Sequence, residues 1–116
     1  MCAMRATTAT TATTATGSTD VTGTSARLPE AWSSVVVGRV GAAQIKVLRM
    51  DGRPVPEERH EAAEALLVLD GLLRLAVDGR PVDIGPGALY TVPAGTPHAV
   101  LPGSHGTLVI VERAAD

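Results

Sequence analysis

The chain has little that would cross-link it, thread it through a bilayer or draw it to a polyanion. It has one cysteine, Cys2, and two aromatic residues, Trp32 and Tyr90, with no phenylalanine. A lone cysteine excludes an intramolecular disulfide and fits a reducing compartment, so a cytoplasmic location is expected. Lys and Arg never form a run, and the formal charge is −2 with a pI near 5.9. Neither nucleic acid nor an anionic membrane is therefore an expected partner. Every apolar stretch falls far short of the roughly 20 residues that span a bilayer. The apolar block of about 7 to 15 residues that marks a secretory signal is missing too, because Thr interrupts Ala throughout the first residues.

What is present divides unevenly. Residues 6 to 16 are only Ala and Thr, and a Gly/Ser/Thr/Asp stretch follows as far as Ser25. So little apolar bulk does not offset the entropy of ordering, and residues 1–27 read as a disordered Ala/Thr-rich tail. From Leu28 the character changes, and residues 28–116 read as one domain. A domain of this size buries only about 60 to 65 per cent of its unfolded surface, which makes a homodimer a reasonable expectation.

Within that domain, short β-branched and apolar runs are separated by turn residues: Ser34 to Val37, Gln44 to Arg49, Ala65 to Leu69, Leu72 to Val77, Pro81 to Ile84, Leu89 to Val92, His98 to Leu101 and Thr107 to Glu112. Asp51-Gly52, Asp70-Gly71 and Asp78-Gly79 are turn signals, the last joining two strictly alternating segments in a hairpin. Glu57 to Leu69 contains Ala-Ala-Glu-Ala-Leu-Leu and suits a helix as well as a strand. The Gly/Pro punctuation on both sides and the absence of another helical segment favour an all-β chain, a barrel or jelly roll of about eight short strands. On a strand through this region, Glu58, His60, Ala62, Glu64, Leu66 and Val68 share the inward face. Ala65, Leu67 and Leu69 then face outward, too apolar for water, so another layer or a second subunit is expected to cover them.

Two stretches carry chemistry. Gly87-Ala-Leu-Tyr-Thr-Val-Pro-Ala-Gly-Thr-Pro-His98 resembles the second cupin motif, a Gly, five residues, Pro-x-Gly, two residues and a His. His60, three residues, Glu64, six residues and Gly71 resemble the later half of the first, whose full form begins His-x-His; where the family usually has its first His, this chain has Glu58. The resemblance covers about residues 52 to 112 and implies the cupin fold, a double-stranded β-helix or jelly-roll barrel. It also implies a metal site at His60, Glu64 and His98, with Glu58 either a fourth ligand or a bystander. Two imidazoles and a carboxylate form a facial ligand set with open positions, suited to Fe, Mn, Ni, Cu or Zn as the divalent ion.

The expected pocket is lined by Leu66, Val68, Leu75, Tyr90 and Val100, with Leu73, Val82 and Ile84 nearby, and suits a small, mainly apolar molecule. Trp32 is expected to cap the barrel or a dimer contact, and His105, in Pro-Gly-Ser-His-Gly, to be an exposed turn residue. Cupin barrels host unrelated activities. A metal-dependent oxygenase, isomerase or cyclase and a metal-free small-ligand binding or sensor module both remain open, and catalytic residues are not assigned.

Overall fold

Alternating apolar and polar side chains in short runs leave strands as the dominant element, because each run can bury one face only when extended. The computed structural model describes residues 10–11 and 17–114. In chain order the elements are β1 (Thr10–Thr11), α1 (Val21–Arg27), β2 (Val35–Val40), β3 (Ala43–Asp51), β4 (Val55–Glu58), β5 (Glu64–Val77), β6 (Arg80–Ile84), β7 (Leu89–Val92), β8 (His98–Val100) and β9 (His105–Arg113). Apart from α1 the described chain is all β, as expected. None of its helices is long and apolar enough to cross a membrane.

Strand β5 joins two sheets. Its first half pairs with β9 and β7, and its second half with β6 and β8. One sheet therefore runs β1-β2-β3-β9-β5-β7 and the other β6-β5-β8-β4. Their inner faces meet in one aliphatic core that includes Leu48, Leu66, Val68, Leu108 and Ile110 from the first sheet and Val55, Leu75, Ile84 and Val100 from the second. This is the jelly-roll arrangement. The hairpin at 78 and 79 forms as anticipated: both residues have positive φ (50° and 80°), and Val77 pairs with Arg80 across a two-residue turn.

The Asp70-Gly71 signal has a different outcome. The strand continues through it, and the register against β9 shifts between Val68 and Asp70. Gly71 faces Gly106 across this bulge, and both have positive φ, 83° and 101°. A Cβ on Gly71 would collide with the His105 carbonyl, and one on Gly106 with the Asp70 carbonyl. The two backbones approach too closely for side chains, and the strand bends from one sheet into the other instead of turning back.

Strand also wins over helix between 57 and 69, but the expected continuous inward parity from 58 to 68 is broken. β4 ends at Glu58 and β5 starts at Glu64, with a loop between. Pro56 lies in β4, at the edge of its sheet, where its missing N–H leaves no ladder bond unmade.

Of the segment expected to be a disordered tail, residues 1–9 and 12–16, with Cys2, lie outside the described residues. Within the described part, residues 20–28 hold the capped helix α1. The Asp20 carboxylate caps α1 by accepting from the Gly23 N–H at 3.0 Å, and the Arg49 guanidinium donates to the carbonyls of Ser25 and Leu28, both at 2.8 Å. A seven-residue helix is not stable by itself; tertiary contact holds it. Val21 and Leu28 join Leu67, Leu69, Val47 and Val109 in a second cluster on the outer face of the first sheet. The apolar face that calls for a covering layer thus receives one from the chain's own N-terminal segment. Trp32 packs on the inner core and caps the barrel, its indole N–H donating to Asp51 at 2.8 Å.

Candidate metal centre

Four side chains arrive at one point from four pieces of chain. Glu58 closes β4 and pairs in register with His98, the first residue of β8. Glu64 opens β5 opposite Val92, the last residue of β7. His60 comes from the loop between β4 and β5, not from the strand that parity predicts. What holds that loop is the Pro93-Ala94-Gly95 turn of the second motif: the Gly95 N–H donates to the His60 carbonyl at 2.8 Å. Across the same end, the Asp78 N–H donates to the Pro97 carbonyl at 2.8 Å, fixing the chain just before His98.

The His60 and His98 rings lie 5.1 Å apart between centroids, at 64° to each other. His98 Nε2 is 3.1 Å from Glu64 Oε2 and 3.9 Å from Glu58 Oε1, while His60 Nε2 is 3.7 Å from each of these two oxygens. Glu58, His60 and His98 can each offer one ligand atom within 4.8 Å of the others; Glu64, the carboxylate expected in the triad, is not in that group, although its Oε2 approaches both imidazoles. Glu58 is therefore part of the cluster in space. His98 and Glu64 are both 1% exposed.

Orientation is set from behind. His98 Nδ1 lies 2.9 Å from the Thr96 carbonyl, which can only accept, so Nδ1 carries the hydrogen and Nε2 the lone pair facing Glu64. Burial opposes protonation of His98, but the Glu64 carboxylate, the Thr96 carbonyl and Glu58 outweigh it. The imidazole titrates above its ordinary range.

Both Glu64 oxygens and His98 Nε2 are buried without a hydrogen-bond partner. The 3.1 Å approach of His98 Nε2 to Glu64 Oε2 becomes an ion pair only when the imidazole is protonated. Buried polar atoms are almost always hydrogen-bonded, and leaving them bare costs about 1 to 3 kcal/mol each. Imidazole nitrogen and carboxylate oxygens converging in this way fit a divalent transition-metal ion, whose bonds to them would be about 2 Å long.

The pattern of residues and the barrel that assembles them match a known family. The model of the cupin domain matches residues 47–112, more than half of the chain. This chain is a cupin. A cupin-2 domain containing protein from Shewanella frigidimarina superposes with a TM-score of 0.71 at 21% identity, over 77% of this chain and 87% of that one. A second protein from that organism, described as an RmlC-like cupin, gives 0.63 at 19% identity, over 71% of this cupin and 75% of its own length. The DMSP lyase DddQ from Ruegeria pomeroyi gives 0.56 at 26% identity, over 63% of this cupin and 39% of the lyase. No curated protein matches.

The remaining expectations divide by burial. Leu66, Val68, Leu75 and Val100, with Leu73 and Ile84, are fully packed core residues. Leu66 continues the inward face of Glu64 two residues along β5, and Val100 that of His98 along β8. Tyr90, opposite Leu66 in register, is half-buried and packs against the same core. His105 is exposed and lies at the other end of β9 from the cluster. Gln44, Lys46 and Glu112 lie outside or at the margin of both motifs. Lys46 is 2% exposed and its Nζ lies 2.7 Å from Glu112 Oε2; Glu112, itself 4% exposed, stands opposite Glu64 in register. Their signal was available: Lys46 alternates in step with Leu48 and Met50, and Glu112 with Leu108 and Ile110, so both share the inward parity.

Proposed function

We propose that this cupin binds one divalent transition-metal ion through His60, His98, Glu64 and Glu58, and uses it to hold or transform a small molecule at the end of the barrel. The observation that carries the reading is the convergence of buried lone pairs on Glu64 and His98 that no hydrogen bond satisfies. When bound, such an ion supplies Lewis-acid polarisation of a ligand oxygen. The chain's own contribution is orientation. Thr96 fixes the tautomer of His98, Gly95 fixes the His60 loop, and the β4–β8 pairing sets Glu58 beside His98.

The inward faces that carry Glu64 and His98 turn apolar within two residues, at Leu66 and Val100, with Val68, Leu75 and half-buried Tyr90 beyond. Because Leu66, Val68, Leu75 and Val100 are closed into the core, half-buried Tyr90 is the one of these residues left open to the apolar part of a ligand whose polar group meets the cluster. The likeness to a lyase among the structural neighbours supports a reaction as readily as simple binding.

Elemental analysis of protein purified without a metal-chelating tag tests the reading, on wild type, His98→Ala and Glu58→Ala. The expected result is close to one equivalent of a divalent transition metal in wild type and loss of it in His98→Ala. Wild type that retains no metal, and takes up none when Mn(II), Fe(II), Co(II) or Zn(II) is added, overturns it.

A further inference from the structure

Of the two aromatic side chains, Trp32 is tied to Asp51, which pairs with His105 at the end of the barrel away from the cluster. Tyr90 stands near the cluster instead. It lies on the inner face of β7, packed against the same core as Leu66, its partner in register on β5. Glu64 and Val92 form the next inward pair along these two strands. Glu64 and Tyr90 are thus diagonal neighbours on one face, with Cβ atoms roughly 7 to 8 Å apart, a separation that an aromatic side chain spans. Leu66, Val92 and Glu64 are at most 2% exposed, whereas Tyr90 is only half-buried. Among the described residues its hydroxyl makes no hydrogen bond, and it is not sealed in the core. The phenol O–H is therefore available to an incoming molecule.

We propose that Tyr90 is the specificity-determining residue of this site: its ring is the wall on which a planar apolar group of the ligand lies, and its hydroxyl donates to a ligand oxygen held at the cluster. The proposal rests on the metal reading above and names the ligand class that reading leaves open, a small oxygen chelator with a planar substituent. Each part follows from the placement of Tyr90. The aliphatic residues beside the cluster are closed into the core, so a flat ring face is the apolar surface on offer, and a flat group gains the most contact on it. A divalent ion held by imidazoles and carboxylates accepts oxygen donors at its open positions. Tyr90 makes no hydrogen bond to Glu64, whose oxygens are both without a partner. A ligand oxygen that enters between the two side chains would meet the ion on one side and the phenol O–H on the other.

Titration of Co(II)-loaded protein with acetohydroxamate and with benzohydroxamate, followed in the visible spectrum, tests this on wild type, Tyr90→Phe and Tyr90→Ala at equal Co(II) loading. Tyr90→Phe keeps the ring and removes only the hydroxyl, so it serves if Tyr90→Ala does not fold. Wild type is expected to bind benzohydroxamate at least about tenfold tighter than acetohydroxamate. Tyr90→Phe should weaken both probes by about tenfold and keep that preference, and Tyr90→Ala should abolish the preference. A merely structural Tyr90 would lower the melting temperature of its variants and leave the ratio of the two affinities unmoved. Co(II)-loaded wild type that binds neither probe or shows no preference, or Tyr90→Phe that binds both probes with wild-type affinity, overturns the inference while leaving the metal site standing. Wild type that takes up no Co(II) removes the site itself and the inference with it.

Discussion

Nε2 of His98 lies 3.1 Å from Oε2 of Glu64, closer than any other imidazole–carboxylate distance in the cluster, yet neither atom makes a hydrogen bond. In metal-free protein this contact stabilises the imidazolium, so folding stability depends on pH in a defined direction. The folded-state pKa of His98 is raised above its ordinary 6.5. The contribution is therefore fully present below about pH 6.5 and lost as pH rises through the folded value. Urea denaturation of chelator-treated protein at pH 6 and pH 8.5 should show the lower stability at pH 8.5, and Glu64→Gln should flatten that slope. Metal affinity should run the opposite way and rise over the same interval as the proton leaves. A slope unchanged in Glu64→Gln would remove this carboxylate as the cause.

Glu64 and Glu58 should separate by degree. Glu64 is 1% exposed and Glu58 partly exposed, so Glu64→Gln removes a charge that solvent cannot replace. We expect it to weaken metal binding by about a hundredfold or more and Glu58→Gln by about tenfold, where water can substitute. Isothermal titration with Mn(II) gives both numbers; equal losses would mean that exposure does not set the ranking.

The crossing of Gly71 and Gly106 should be the least tolerant point of the backbone outside the site. Gly71→Ala combines a positive φ of 83° with a collision against the His105 carbonyl, and should cost about 3 kcal/mol or more. Gly85→Ala meets nothing within 4 Å and should change stability by less than about 0.5 kcal/mol. Thermal denaturation of the two variants side by side checks the contrast.

Asp51 accepts hydrogen bonds from the Trp32 indole at 2.8 Å and the Arg53 N–H at 3.2 Å, and the Trp32 bond leads in holding its carboxyl below the usual range. Its stabilising contribution is present above the unfolded value near 3.8 and is lost as pH falls through the lower folded one. Trp32→Phe keeps a ring on the core and removes the donor. It should lose under about 1 kcal/mol at pH 7 and less still at pH 2, by guanidinium denaturation followed by circular dichroism. An equal loss at both pH values would assign the effect to packing.

Arg49→Met should release α1 while leaving the site intact. Two charge-assisted bonds, to Ser25 and Leu28, hold the helix to β3, and their loss should cost about 1 to 3 kcal/mol. Amide exchange in residues 21–28 should quicken severalfold with metal stoichiometry unchanged. Exchange as slow as in wild type would mean that the apolar contacts of Val21 and Leu28 suffice.

Much of the site was legible because two motifs carry their ligands at fixed offsets from turn residues. His98 follows Pro93 and Gly95 by a set number of positions, and His60 and Glu64 are four residues apart, and it was the resemblance of these two patterns to the cupin motifs that implied their nearness. Less legible was how His60 arrives. Parity assumed one strand from Glu58 to Val68, whereas the Gly95 N–H, far off in sequence, captures the His60 carbonyl and stabilises a loop. Asp70-Gly71 misled for a related reason: a dipeptide that makes a hairpin when free becomes a bulge when another strand, with its own glycine, lies across it.

Local pattern thus determined the strands, the hairpin at 78 and 79 and the kinds of side chain available to bind an ion, because strand alternation and turn conformation are properties of neighbouring residues. Tertiary structure alone decided that a short stretch of the presumed tail would become a helix sealing the outer sheet. It alone set Lys46 against Glu112, across from Glu64. Partnerships between residues 46 and 112, or 25 and 107, depend on which strands lie side by side, and that order is resolved only when both sheets close on a shared core.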